Sequence, residues 1–271
     1  MKKTTFLLGV LLFSVPAVAG VVYEIEVTDH QQSPQKTENM ETAVEGRLLK
    51  IGVPAGGQAG DGEMIYRGDQ REMIFIDHDK KSYYVIDEET MKALAAQINE
   101  AMSMMEQALA NVPEGQRAMV EEMMKKKMPQ PQNVERPKTE LRNTGERAEH
   151  NGYPCVKYEV LRDGRTIREL WVTDWKNIEG GADVAELFVD MSQFFKEMLD
   201  SLPKIAGEGG ADQAFEYMKE IGGFPVVSRE FDNDGTLESE SSLQSARSQT
   251  LDPDTFEPPA GYKRQDMLKG R

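Results

Sequence analysis

Residues 156-VKYEVLRDGRTIRELWVTDW-175 carry a clear strand–turn–strand pattern. On each side of Asp163-Gly164, apolar residues alternate with polar ones, which is the period of a strand with one buried face. Asp-Gly between two alternating runs is among the strongest local signals for a tight turn. The stretch therefore predicts an antiparallel hairpin.

Strand patterns of the same kind occur on both sides of this hairpin. The preceding run, 147-RAEHNGYPCVKYEV-160, places Asn151-Gly152 between two strands. Near the beginning of the chain, Val21, Tyr23, Ile25 and Val27 alternate with charged residues and predict a further strand. A polar loop is expected over 29–42. Further strands are predicted at 46–52, 63–67, 71–77, 82–87, 224–231 and 236–245.

Two segments between the strands carry a helical period instead. In the first, one apolar stripe is formed by Met91, Leu94, Ala95, Ile98, Met102, Met105 and Leu109. A shorter helix over about 114–127 is expected to follow, which makes a helical hairpin insertion at about 89–128. A second insertion, at about 182–221, begins with an amphipathic helix over 182–202.

About ten antiparallel strands with helices inserted at two points predict an α+β fold. The economical arrangement is a curved antiparallel sheet, an unclosed half-barrel. The inserted amphipathic helices would cover its concave face, and its convex face would face water.

The first residues have the features of a secretory signal peptide. Lys2 and Lys3 precede a short apolar run, and Ala17-Val18-Ala19 supplies the small residues of a cleavage site. We therefore expect residues 1–19 to be removed after Ala19, leaving a single periplasmic domain over 20–271. The apolar run is shorter than the roughly twenty residues that span a bilayer, so no stable membrane insertion is expected.

Charge and cysteine content narrow the function further. The formal net charge is −15 at pH 7, which opposes binding to nucleic acid through bulk electrostatics. Cys155 is the single cysteine, so the fold cannot contain an intramolecular disulfide and must be held by its core.

Methionines are concentrated in residues 101–128, which hold seven of the sixteen in the chain. They could pack a core or lid, form an adaptable apolar binding surface, or ligate a soft metal. A thioether metal site usually includes histidine or cysteine, and neither residue occurs between 79 and 149. We therefore favour a pliable, methionine-lined lid and expect no metal or cofactor.

Other candidates for chemistry have simpler interpretations. Asp232-Asn233-Asp234-Gly235 lies between two predicted strands and is interpreted as a turn rather than a calcium loop. Asp77, His78 and Asp79 are adjacent residues in one predicted turn, so their side chains are not expected to converge on one ion. Cys155 is expected to be partly exposed on a strand, with His150 as the nearest candidate base. The sequence has no established catalytic motif, and we expect a protein that is not an enzyme.

Three stretches resemble a known family: 62-GEMIYRGDQREMIFIDHDKKSYYVID-87, 152-GYPCVKYEVLRDGRTIRELWVTDW-175 and 251-LDPDTFEPPAGYKRQD-266. They are similar to secreted bacterial proteins of the LolA/LolB-like superfamily, within the branch known as DUF4412. The resemblance implies an unclosed barrel whose helix-covered concave face holds a lipid acyl group. Better-known members ferry lipoproteins across the periplasm. This chain has a longer, methionine-rich helical hairpin and is more acidic, and no position matches a lipoprotein-binding residue.

These observations lead to one functional prediction and one alternative. The prediction is a soluble periplasmic protein that binds a lipid, an acyl chain or another hydrophobic ligand beneath its helices. The candidate cavity residues are Met102, Met105, Leu109, Trp171, Phe188, Met191 and Phe195. The alternative is a cell-envelope interaction module whose groove is filled by its own helices and whose acidic surface meets a basic protein partner.

Overall fold

The computed structural model describes residues 20–53, 62–110, 139–201 and 219–267, without the side chains of Glu106, Ala108, Leu109, Ala110 and Leu199. The predicted signal peptide over 1–19 lies outside these ranges. The predicted second helix of the hairpin, over about 114–127, also lies outside them.

The described residues form one sheet of twelve strands in the order β12-β6-β5-β4-β3-β2-β1-β11-β10-β9-β8-β7. Neighbouring strands are antiparallel except for the short parallel contact between β12 and β6. The sheet is not closed, because β7 and β12 form its two edges. The predicted fold class, an α+β fold with a curved, open antiparallel sheet, is confirmed. The strands are β1 (Gly20–Asp29), β2 (Lys36–Glu45), β3 (Leu48–Val53), β4 (Gly62–Arg67), β5 (Glu72–Asp77), β6 (Ser82–Ile86), β7 (Thr139–His150), β8 (Tyr153–Arg162), β9 (Arg165–Asp174), β10 (Gly223–Phe231), β11 (Leu237–Gln249) and β12 (Lys263–Arg264).

Both predicted two-residue turns are confirmed. Asn151 and Gly152 join β7 to β8 with φ angles of 50° and 82°, and Asp163 and Gly164 join β8 to β9 with φ angles of 51° and 79°. Positive φ at both central residues is the geometry that matches the twist of paired strands, and Asn, Asp and Gly tolerate it best.

The prediction of a polar loop over 29–42 is wrong for most of its length. Strand β2 begins at Lys36 and pairs with β1 from Asp29 to Val21. Its first half carries polar residues on both faces, so no apolar alternation appears until Met40. The pairing with β1 determines which face of β2 is buried. In this register Met40, Thr42 and Val44 lie opposite Ile25, Tyr23 and Val21, on the same face of the sheet.

Both long helices within the described ranges have the positions that their periodicity predicts. Helix α1 spans Glu88–Ala110 and follows β6 directly. Helix α2 spans Gly181–Asp200, after a short 3-10 helix over Trp175–Asn177. The stripe that α2 buries recurs at helical spacing and consists of Val184, Leu187, Met191 and Phe194.

The beginning of α2 packs unusually close to neighbouring backbone. A Cβ atom at Gly181 would overlap the carbonyl oxygen of Trp175, and one at Gly180 would overlap the side chain of Val21. Gly180 also has a φ angle of 67°, which a glycine adopts without strain. Two glycines therefore let the helix begin directly against β1.

The sheet buries apolar residues on both faces. Val21 and Tyr23 belong to the main core cluster, which also contains the buried stripe of α2. Val22 points the opposite way along the same strand and belongs to a second cluster. Phe256, which ends the 3-10 helix over Pro253–Phe256 after β11, completes that cluster, with Leu251 and Tyr262 beside it. The expectation that the face opposite the helices is left to water is therefore wrong for this half of the sheet.

Candidate functional site

An apolar cavity of about 250 Å³ lies between the sheet and α2. Strands β1, β2, β3, β10 and β11 form its floor, and one face of α2 forms its roof. The lining residues are Tyr23, Ile25, Met40, Thr42, Val44, Leu49, Ile51, Val184, Leu187, Phe188, Met191, Phe224, Pro225, Val226, Ser228, Ser241, Ser242 and Leu243.

Tyr23 fixes one end of this cavity. Its ring stacks on Phe224 with the centroids 5.4 Å apart, and its hydroxyl donates a hydrogen bond to the carbonyl oxygen of Glu179 at 2.6 Å. Burial, followed by the nearby carboxylates of Asp183 and Glu179, raises the pKa of the Tyr23 hydroxyl. Tyr23 therefore stays a neutral donor that ties the sheet to the residues just before α2.

Asp190 fixes the middle of the roof. Its carboxylate accepts a hydrogen bond from the Tyr66 hydroxyl at 2.7 Å and forms an ion pair with Arg47. Gly68 lies so close that a Cβ there would overlap Asp190 Oδ2. Farther along the helix, Glu197 pairs with Arg71. These polar contacts hold α2 in one position above the apolar floor.

Hydroxyl groups are the main polar side-chain groups inside the cavity. Among the described lining residues there is no Lys, Arg, His, Asp or Glu. Ser242 accepts a hydrogen bond from Asn151 Nδ2 at 2.9 Å. Thr42 is 9% exposed, and Ser228 and Ser241 are half-buried. The arrangement suits a ligand that is apolar or neutral.

The structure places four of the predicted cavity residues in or near the main core. Phe188 and Met191 of α2 line the cavity. Phe195 is half-buried against the main core cluster, and Trp171 of β9 is buried within that cluster. Neither Phe195 nor Trp171 lines the cavity, so the structure brings together only two of these four residues.

The three residues predicted from the methionine-rich helix lie on α1. Met102 and Met105 are half-buried and do not line the cavity beneath α2, whereas Met104 is 59% exposed. The side chain of Leu109 lies outside the described residues. A ligand-binding role for these three residues stays a prediction.

Most of the cavity floor was not identified from the sequence. The missed residues lie on β1, β2, β3, β10 and β11, including Tyr23, Met40, Leu49, Val226 and Leu243. The alternation of β1 was visible, and it could have placed Tyr23 and Ile25 on the floor. The other strands reach the same place only through pairings between distant parts of the chain.

Cys155 is buried rather than partly exposed, which corrects the expectation from strand alternation. It belongs to the main core cluster, and its thiol lies 3.3 Å from the carbonyl oxygen of Tyr153. The ring of His150 packs on Trp171 at 4.5 Å between centroids. His150 Nε2 and Trp171 Nε1 are buried, and neither has a hydrogen-bond partner among the described residues.

We expect Cys155 to react very slowly with a thiol reagent in the native protein. Burial raises the pKa of the Cys155 thiol, so the reactive thiolate is scarce at mildly alkaline pH, and the core also blocks access. Timed labelling with a maleimide, read by intact mass, measures this. Rapid labelling of the folded protein would contradict the expectation, and complete labelling in denaturant is the control.

The turn predicted at Asp232-Asn233-Asp234-Gly235 is present between β10 and β11. Asp232 Oδ1 accepts hydrogen bonds from the backbone amides of Asp234 and Thr236, both at 2.8 Å. Over the described ranges, no three His, Cys, Asp or Glu side chains converge as metal ligands. No helix within those ranges combines the length and apolar character needed to cross a membrane.

Comparison with known proteins gives a family and a set of distant structures. Residues 102–262 match the family model described as Domain of unknown function (DUF4412). No curated protein matches the sequence. The matched segment begins within α1 and includes α2 and all strands from β7 to β11. It confirms the resemblance to the DUF4412 branch.

Three solved structures show the level of structural similarity. An uncharacterised conserved protein from Thermus thermophilus is 7% identical, with a TM-score of 0.43 over 92% of this chain and 90% of that one. PNGF-II is 8% identical, with a TM-score of 0.37 over 92% and 31%. A putative outer membrane lipoprotein-sorting protein domain from Vibrio parahaemolyticus is 9% identical, with a TM-score of 0.28 over 89% and 91%.

Proposed function

This chain belongs to the family described as Domain of unknown function (DUF4412), and we propose that it binds an apolar ligand in the cavity beneath α2. On this proposal it is a soluble, non-catalytic protein of the periplasm, delivered there by the predicted signal peptide over 1–19. The ligand would be a lipid, an acyl chain or another hydrophobic molecule.

The observation that carries the proposal is the cavity itself. Protein interiors are close-packed, and voids larger than a water molecule are few. An apolar cavity of about 150 Å³ already binds benzene, and the cavity here is larger, about 250 Å³. Filling it would remove apolar surface from water on the ligand and restore dispersion contacts to the lining side chains.

The alternative function, an envelope interaction module, requires a groove filled by the side chains of its own helices. Leu187, Phe188 and Met191 project from α2 into the space above the sheet, and the described residues leave that space open. This observation favours ligand binding. The formal net charge of −15 remains the feature that would attract a basic protein partner.

Native mass spectrometry of protein purified from periplasm, together with an organic extract of the same sample, tests the proposal. A stoichiometric apolar adduct that is released by extraction would support it. The delipidated protein should then bind naphthalene, a ten-carbon apolar fluorophore that serves as the dye in the tests below. A bare polypeptide mass and no dye binding would reject the proposal and favour the interaction module.

Met40→Trp is expected to weaken dye binding by about tenfold or more, equivalent to about 1.4 kcal/mol. Met40 is half-buried on β2 and lines the cavity, so an indole there occupies the space that the dye needs. Fluorescence titration of the delipidated variant measures the change.

Met64→Trp is the matched control. Met64 is half-buried on β4 and packs against the main core cluster, but it does not line the cavity. The control should bind dye as the unmodified protein does. Equal weakening in both variants, or none in Met40→Trp, would show that the dye binds elsewhere.

A further inference from the structure

Resting on the proposed function, we infer that the ligand is a single-chain amphiphile with an uncharged, hydrogen-bonding head group. Alcohols, esters and amides belong to this class, whereas ionised fatty acids and phosphate-bearing lipids do not. Three features of the cavity lead to this inference: its charge, the position of its hydroxyls and its volume.

The charge of the cavity excludes an ionised head group within it. The described lining residues include no cation that could pair with a carboxylate or a phosphate. Burying an unpaired ion is far less favourable than burying a neutral polar group. Just outside the lining, Val27 of β1 lies opposite Glu38 of β2 on one side and Ser241 of β11 on the other. The nearby cation of Lys36 forms an ion pair with Glu38, with 2.6 Å between Nζ and Oε1.

The hydroxyls show where a neutral head group would bind. Ser228 and Ser241 are cross-strand partners on β10 and β11, so their side chains lie on the same face of the sheet. Along β1 the side chains change from buried at Tyr23 to half-buried at Val27, the residue opposite Ser241. The serine pair therefore marks the more open end, and Thr42 provides a further hydroxyl deeper in the cavity.

Volume limits the ligand to one chain. A cavity of about 150 Å³ holds the six carbons of benzene, and by the same ratio a cavity of about 250 Å³ holds about ten carbons. A lipid with two or three long chains would leave most of its apolar surface outside. The geometry thus fits one short apolar chain beneath α2, with its neutral head group against the serines.

Competition between two probes of equal chain length tests the head group. Decanol and decanoate, which is ionised at neutral pH, are titrated against the dye-loaded protein. We expect decanol to displace the dye at least about tenfold more effectively, because no cation of the lining can pair with the decanoate carboxylate and Glu38 lies in the same cross-strand row as Ser241. Equal displacement, or stronger displacement by decanoate, would overturn the inference.

Removing the hydroxyls tests how the head group is bound. In the triple variant Thr42→Val/Ser228→Ala/Ser241→Ala, the affinity for decanol relative to that for the dye should fall about fivefold, because only decanol loses a hydrogen bond. Ser239→Ala, on β11 but outside the cavity lining, is the control and should change neither affinity. An unchanged relative affinity for decanol in the triple variant would also overturn the inference.

The two proposals fail in distinguishable ways. If the unmodified protein binds neither dye nor decanol, the proposed function fails, and this inference fails with it. If the dye binds and is displaced equally by both probes, only the assignment of a neutral head group fails. Circular dichroism of each variant establishes that loss of binding is not loss of folding.

Discussion

Leu187→Ala is expected to lower the free energy of unfolding by about 2–5 kcal/mol, the range for removing a fully buried leucine side chain. Leu187 is 1% exposed, lies at the centre of the buried stripe of α2 and forms part of the cavity roof. The side chains around it border an existing cavity and cannot collapse onto the vacated space without moving the helix. Chemical denaturation followed by circular dichroism measures the loss.

Val189→Ala provides the control on the same helix. Val189 is 65% exposed, so its substitution should change stability by no more than about 0.5 kcal/mol. If Leu187→Ala were no more destabilising than Val189→Ala, α2 would not be packed on the sheet as described. Leu187→Ala should also enlarge the cavity, so a ligand bulkier than the dye is expected to restore part of the lost stability.

Gly181→Ala is expected to destabilise the protein by about 1–3 kcal/mol through overpacking. The added Cβ would overlap the carbonyl oxygen of Trp175, which is backbone and cannot rotate away as a flexible side chain would. The first turn of α2 must therefore shift, and the hydrogen bond from Tyr23 to the carbonyl of Glu179 lies next to it. Thermal and chemical unfolding of the variant measure the effect.

Gly52→Ala is the matched control for the glycine substitution. Gly52 lies on β3, where a Cβ would meet its nearest neighbour, Met40, at an ordinary contact distance of 3.6 Å. Alanine should be tolerated there, because it also restricts the unfolded chain. Destabilisation of both variants to the same extent would show that loss of glycine itself, rather than the approach to Trp175, is responsible.

The tight turns and the helices could be predicted because short stretches of sequence specify them. Asn151-Gly152 and Asp163-Gly164 determine their turns within two residues, and the stripe of α2 repeats over several helical turns. Strand β2 was missed because its polar first half acquires a buried face only by pairing with β1. The burial of Cys155 was missed for a related reason, since alternation within a strand does not show what covers each face.

The cavity was only partly predictable because it depends on distant pairings. Gly20 pairs with Gln249, near the opposite end of the chain, and this contact brings β10 and β11 beside β1 and β2. No local pattern specifies that pairing. Periodicity alone also could not decide which helix roofs the cavity, since α1 and α2 both carry an apolar stripe. Phe188 and Met191 were found because they lie on α2.

The contact of Asp190 with Tyr66 has a consequence for ligand length. Asp190 lies between cavity-lining residues of α2 and is held by a hydroxyl on a central strand, so sliding the helix along its axis would break the bond. A helix held only by apolar contacts could slide to admit a longer ligand, whereas the bond from Tyr66 to Asp190 fixes the position of α2 along the sheet. Affinity would then rise for each added methylene until the chain fills the space beneath α2, and further methylenes would project from the open end and add little.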